Sequence, residues 1–174
     1  MEQVIFGGWH ELLETIGIRY LFLSGGCPPR MAESTAKGIV STGGKIKNLR
    51  VKLDGSPGTG KKYTFTLLLN AAPSALTLEI ADTATSGADT THEVDVVAGD
   101  YVSLRCEPTN TPTARYATWT SMFEGSTAKE SLLLANSDGW LVDSAGVRYA
   151  QASGYSYPRS TDENEARQVC PTSG

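Results

Sequence analysis

Asn48-Leu49-Arg50-Val51-Lys52-Leu53 and, further on, Tyr63-Thr64-Phe65-Thr66-Leu67-Leu68-Leu69 are the stretches on which the fold turns. In the first, Leu49, Val51 and Leu53 fall on one side and Asn48, Arg50 and Lys52 on the other, which is the period of two of a half-buried strand. In the second, Tyr63, Phe65, Leu67 and Leu69 alternate with Thr64 and Thr66. Leu76, Leu78 and Ile80 repeat the pattern against Thr77 and Glu79, and Val94 and Val96, then Val102, Leu104 and Cys106, then Ala117, Trp119, Ser121 and Phe123 continue it. Threonine is frequent in these runs, as suits a pleated surface.

Turn chemistry separates the runs: Asp54 to Gly60, Asn70-Ala71-Ala72-Pro73, Asp82 to Asp89, Ala98-Gly99-Asp100 and Pro108 to Pro112. With Arg19 to Leu23 and a short strand around Ile39, the reading is an all-β, antiparallel β-sandwich of jelly-roll type with about eight strands. Helix is expected only at Glu11 to Glu14 and at Thr127-Ala128-Lys129-Glu130, where a capping-box spacing precedes Leu132, Leu133 and Leu134.

The chain contains a repeat. Gly17-Ile18-Arg19-Tyr20, closing on Ser24-Gly25, returns as Gly146-Val147-Arg148-Tyr149, closing on Ser153-Gly154, and Pro29-Arg30 returns as Pro158-Arg159 at the same spacing. After one inserted residue, Ala36-Lys37 matches Ala166-Arg167, and Gly44 matches Gly174; upstream, Gly8-Trp9 faces Gly139-Trp140. The expected organisation is a lead-in over 1–16, a jelly-roll domain over 17–125, a linker over 126–138 and an incomplete second repeat over 139–174. That second piece is too short to bury a core alone, so it is expected to pack on the first unit or on a neighbouring chain, or to belong to a longer tandem array.

Composition narrows function. The 174 residues are 40% hydrophobic and 20% charged, with a net charge of −4, and no Lys/Arg cluster offers the footprint a phosphate backbone needs. No nucleic acid partner is expected. No run of about 20 apolar residues spans a bilayer, and no signal peptide is readable, so export is expected by lysis or within a particle. Cys27, Cys106 and Cys170 are odd in number and far apart, without zinc spacing, and read as free thiols.

Several motifs look chemical and have plainer readings. Gly55-Ser56-Pro57-Gly58-Thr59-Gly60-Lys61-Lys62 satisfies Gly-x-x-x-x-Gly-Lys, but Lys62 stands where magnesium needs a hydroxyl, and a strand rather than a helix follows. It reads as a loop with two lysines at its tip. Asp100 reads as a turn residue accepting backbone N–H bonds. Asp82, Asp89 and Glu93 lack the close spacing of a calcium loop. With only His10 and His92 present, a hydrolase would need an unexpected cluster around one of them. No catalytic residue, cofactor or metal is therefore assigned, and the chain is not expected to be an enzyme. Trp119, at an inward strand position, reads as core, and Trp9 and Trp140 as equivalent packing residues. Tyr149, Tyr155 and Tyr157, with Trp140, are the candidates for an exposed binding or intersubunit patch.

Ile46 to Leu53, Pro57 to Leu67, Val94 to Asp100, and Pro112-Thr113-Ala114 leading to Trp119 together resemble a jelly-roll module of tailed-phage and environmental viral structural proteins. The resemblance covers about residues 17 to 125. It implies a compact jelly roll, similar in outline to tumour necrosis factor-like domains, that associates in threes on a virion, tail fibre or capsid surface. The sequence departs from that pattern at Asn70-Ala71-Ala72, where the family tends to carry an Asn-Gly turn. Two other readings stay open beside a particle component of virion or extracellular location: a module binding cell-surface glycans or receptors, and a fibre subunit assembling head to tail by β-strand addition.

Overall fold

The computed structural model describes residues 2–26, 29–127, 132 and 134, and the backbone of 135–136 and 154–155. Strands β1 (Glu2–Gly8), β2 (Arg19–Leu21), β3 (Gly38–Ile39), β4 (Gly44–Leu53), β5 (Gly58–Leu69), β6 (Ala72–Asp82), β7 (Ser86–Val96), β8 (Tyr101–Thr109) and β9 (Ala117–Gly125) form two facing sheets. One runs β1-β9-β4-β7 and the other β2-β8-β5-β6, with β3 also on β8. Every pairing within the two sheets is antiparallel. Among β1 to β9 the chain crosses between sheets at almost every connection, and of these described strands only β5 and β6 form a hairpin within one sheet, so the architecture is a jelly-roll sandwich.

The alternation read from the sequence sets the core. Leu49, Val51 and Leu53 meet Trp119 and Phe123 from one sheet, and Tyr63, Phe65, Leu67, Leu76, Ile80 and Leu104 face them from the other, all at most 2% exposed. Each such side chain contributes about 1.5–3 kcal/mol by leaving water. Trp119 satisfies its one polar atom by donating from Nε1 to the Leu23 carbonyl at 3.0 Å. Gly7 of β1 lies so close over that indole that a Cβ there would stand 2.4 Å from Nε1. Cys106 is buried within this core, and burial holds its thiol far above the ordinary range, as an inert group.

Four expectations are corrected. Glu2–Gly8 is not a lead-in but a full strand along β9. Its run Val4-Ile5-Phe6 does not alternate to the eye, because Ile5 is buried while Val4 and Phe6 stand on an edge strand's outer face. Glu11 to Glu14 form no helix; the segment is irregular, with Leu13 buried and its N–H bonded to the Arg115 carbonyl at 2.7 Å. Among the described residues, a 3-10 turn occurs instead at Glu33–Thr35. The turns at Asp54–Gly60 and Asp82–Asp89 are shorter than read, because β5 already begins at Gly58 and β7 at Ser86. Lys61 and Lys62 therefore lie in β5, not at a loop tip, and Lys62 pairs with Glu79 at 2.5 Å. The expected helix at Thr127 to Glu130 falls mostly outside the described residues.

The β5–β6 turn rests on Asn70 (φ 51) and Ala71 (φ 68), both left-handed. Asn tolerates this and Ala does not, so the Ala71 position that departs from an Asn-Gly turn carries backbone strain of about 1 kcal/mol.

Beyond β9 the chain returns to the sandwich. Leu132 and Leu134 are 2% and 6% exposed and belong to the main core. The Gln3 amide clasps Leu132, donating to its carbonyl and accepting its N–H, both at 2.7 Å. Leu134 packs over Gly38 of β3. The two leucines thus close the seam between β1 of one sheet and β3 of the other. The next residues form β10 (Ala135–Asn136), parallel to β11 (Gly154–Tyr155).

Candidate functional site

The outer face of the β1-β9-β4-β7 sheet gathers the most charge. Strand β4 supplies four cations to it, and the cross-strand register places their neighbours. Glu2, Glu124, Lys45 and Asp95 form one row. Val4, Met122, Lys47 and Glu93 form the next, then Phe6, Thr120, Arg50 and Ala88, then Gly8, Thr118, Lys52 and Ser86.

A break in period lies between the second row and the third. Asn48 adopts φ 56, and both of β4's pairings shift register there. The extra residue flips the parity of the strand, so that Lys45 and Lys47 point outward before it and Arg50 and Lys52 after it. On the facing strand β7, the bulge is held by Asp89. Its carboxylate accepts from the backbone N–H groups of Thr77, Thr91 and His92 at 3.1 Å each, and from the Thr91 hydroxyl at 3.1 Å. It also meets His92 Nδ1 at 2.9 Å. Burial works against its charge, but these bonds, led by those from His92, prevail and hold the carboxyl well below the ordinary aspartate range.

The first two rows are an ion-pair ladder. Lys47 lies 2.8 Å from Glu2 and 2.6 Å from Glu124, so it bridges two carboxylates that face each other across strands. Lys45 bonds Glu93 and lies 4.0 Å from Asp95. Hydrogen bonding to these partners raises both lysines above the ordinary range, and Lys47 lowers Glu124. The last two rows differ. No carboxylate pairs with Arg50 or Lys52 among the described residues. Their cross-strand neighbours are short, and a shallow depression of about 360 Å³ opens between Arg50, Lys52, Ser86, Ala88 and Thr120. Phe6, 70% exposed, stands in the Arg50 row beyond Thr120.

The residues singled out from the sequence lie elsewhere. Tyr149, Tyr157 and Trp140 are outside the described residues, and Tyr155 is described only as backbone in β11, beside Asn136. Trp119 is core. Trp9 stacks on His10 with ring centroids 4.1 Å apart. Asp100 accepts from the Val97 N–H at 2.8 Å and from Asn70 Nδ2 at 2.8 Å, closing a turn as its sequence context implied. Asp82 accepts the Gly60 N–H at 2.7 Å and Glu93 pairs with Lys45, so with Asp89 committed to its bulge the three acidic residues are engaged separately. The face itself was missed, although its signals were present: four cations in β4, and Ile46 and Leu49 three residues apart around an Asn, the residue type most tolerant of left-handed backbone.

No protein-family model matches the chain, and no curated protein matches it.

Proposed function

We propose that this chain is a non-enzymatic structural component of a phage or virus particle, a capsid decoration or tail or fibre module that acts by surface adhesion and self-association. The observation carrying this reading is the closing of the sandwich seam by Leu132 and Leu134, followed at once by the β10–β11 pair. A segment that completes the core of one unit and then pairs with Gly154 and Tyr155, at the end of the repeated stretch, joins the second copy to the first. Short-tethered repeats multiply weak surface contacts into avidity, which is how an adhesive particle component works. The resemblance of residues 17 to 125 to viral jelly-roll modules supports the same reading, with a virion or extracellular location, association in threes, and other virion proteins or cell-surface glycans as partners. The acidic residues add to it, since Asp82, Asp89 and Asp100 are engaged in bulge and turn geometry rather than gathered around a reactive centre.

Light scattering on the purified chain over a range of concentrations tests self-association. A trimer is the expected result, and an open-ended series supports the same reading with head-to-tail geometry. A strict monomer at every concentration overturns the self-association.

A further inference from the structure

We infer that the Arg50/Lys52 half of the outer face is a binding site for a short saccharide ending in an acidic sugar. The inference rests on the adhesive part of the reading above and names what that adhesion recognises. Arg50 and Lys52 lie two residues apart on one face of β4, which spaces their Cα atoms at about 7 Å, and neither is neutralised by a described neighbour. Two cations that no described carboxylate pairs, beside a depression of about 360 Å³, suit an anion small enough to enter it. Ser86 and Thr120 line the same depression, and Thr118 stands beside Lys52. These groups suit the hydroxyls of a sugar ring. Phe6 lies two strand spacings, about 10 Å, from Arg50 along its row and presents an apolar surface to a second ring.

The other half of the face decides against a long polyanion. There four carboxylates, Glu2, Glu93, Asp95 and Glu124, surround only Lys45 and Lys47, so that half is net negative and repels an anionic chain running along β4. With the chain's overall charge of −4, this favours a single terminal carboxylate over sulfated polymers or nucleic acid.

The test is titration of the full chain, by calorimetry or NMR, with 3′-sialyllactose, with lactose as its neutral counterpart and with a heparin oligosaccharide as polyanion. Sialyllactose is expected to bind at least tenfold more tightly than lactose. Arg50→Met with Lys52→Met is expected to remove that preference, while Lys45→Met, in the ladder, retains it. Equal binding of lactose and sialyllactose, no binding of either, or a preference untouched by the double variant overturns the inference. Heparin binding that strengthens with oligosaccharide length and exceeds sialyllactose overturns the choice of a short ligand. Because both side chains are exposed and no described carboxylate pairs with them, the double variant should melt as the parent does, and its melting curve guards against misfolding. Light scattering on the same samples separates the outcomes: a trimer that ignores sialyllactose sinks this inference alone, and a monomer that binds it sinks only self-association.

Discussion

The two halves of the outer face each take two cations from β4 and behave as opposites. Above Asn48, Lys45 and Lys47 are locked between carboxylates of β1, β7 and β9; below it, Arg50 and Lys52 project over short, neutral side chains. The difference comes from neighbours and not from the cations. It teaches that charge on a sheet takes its meaning from register, and that one inserted residue separates a structural array from a surface open to a ligand.

The largest effect is expected where that division is anchored. Asp89→Ala removes the buried carboxylate that accepts the part-buried N–H groups of Thr77, Thr91 and His92. The expected loss is about 2 kcal/mol in urea unfolding, since hydrogen bonds to a charged acceptor contribute about 1.5–3 kcal/mol and water can reach the freed donors. A loss below about 1 kcal/mol would mean that something other than the carboxylate holds the bulge. The pH dependence has a definite sign. Asp89's carboxyl is lowered in the folded protein, so its contribution is present above the unfolded value of about 3.9 and fades as pH falls through the folded value. The stability gap between parent and Asp89→Ala should therefore be constant near neutrality and narrow progressively below about pH 4.

A smaller effect is expected on the other side of the bulge. Asn48 is left-handed, so Asn48→Ala should cost about 1 kcal/mol, while Asn48→Gly, free of the Cβ clash, should be close to neutral. Chemical denaturation of the pair settles it. If the alanine variant is as stable as the glycine variant, the backbone at residue 48 is not what fixes the register, and the contrast between the two halves needs another cause.

How much of this was legible follows from what periodicity encodes. Tyr63, Phe65 and Leu67, or Ala117, Trp119, Ser121 and Phe123, declare their strands because each faces a core on one side only, and the structure buries them as read. Strand β1 did not declare itself, because an edge strand with Val4 and Phe6 outward has lost the polar half of the alternation. The starts of β5 and β7 were hidden by Gly, Pro and Ser residues, which extend strands as well as break them when a partner strand supplies the hydrogen bonds. The cationic half of the face was invisible for a deeper reason. Whether Arg50 is paired depends on residues in β1, β7 and β9 that lie far from it in sequence, and pairing register is a property of the folded sheet.

The smallest expected effect is the one that tests the contrast most directly, through the sign of its salt dependence. The carboxylates of the ladder are exposed and Lys47 is only part-buried, so each pair adds little, and Lys47→Met should lower the melting temperature less than either Asp89→Ala or Asn48→Ala. That loss should vanish near 1 M salt, where screening acts within about 3 Å and Glu2 and Glu124 no longer feel each other or their bridge. Arg50→Met removes a cation whose nearest charged neighbour along the strand is another cation, Lys52, so it should leave the melting temperature unchanged or raise it slightly at low salt. Added salt screens the Arg50–Lys52 repulsion in the parent and should erase even that gain. Opposite signs at low salt, converging at high salt, are the signature of a face whose upper half is satisfied and whose lower half is not. Should both variants lose stability equally at low salt, Arg50 has a partner after all, and the open half is another ladder.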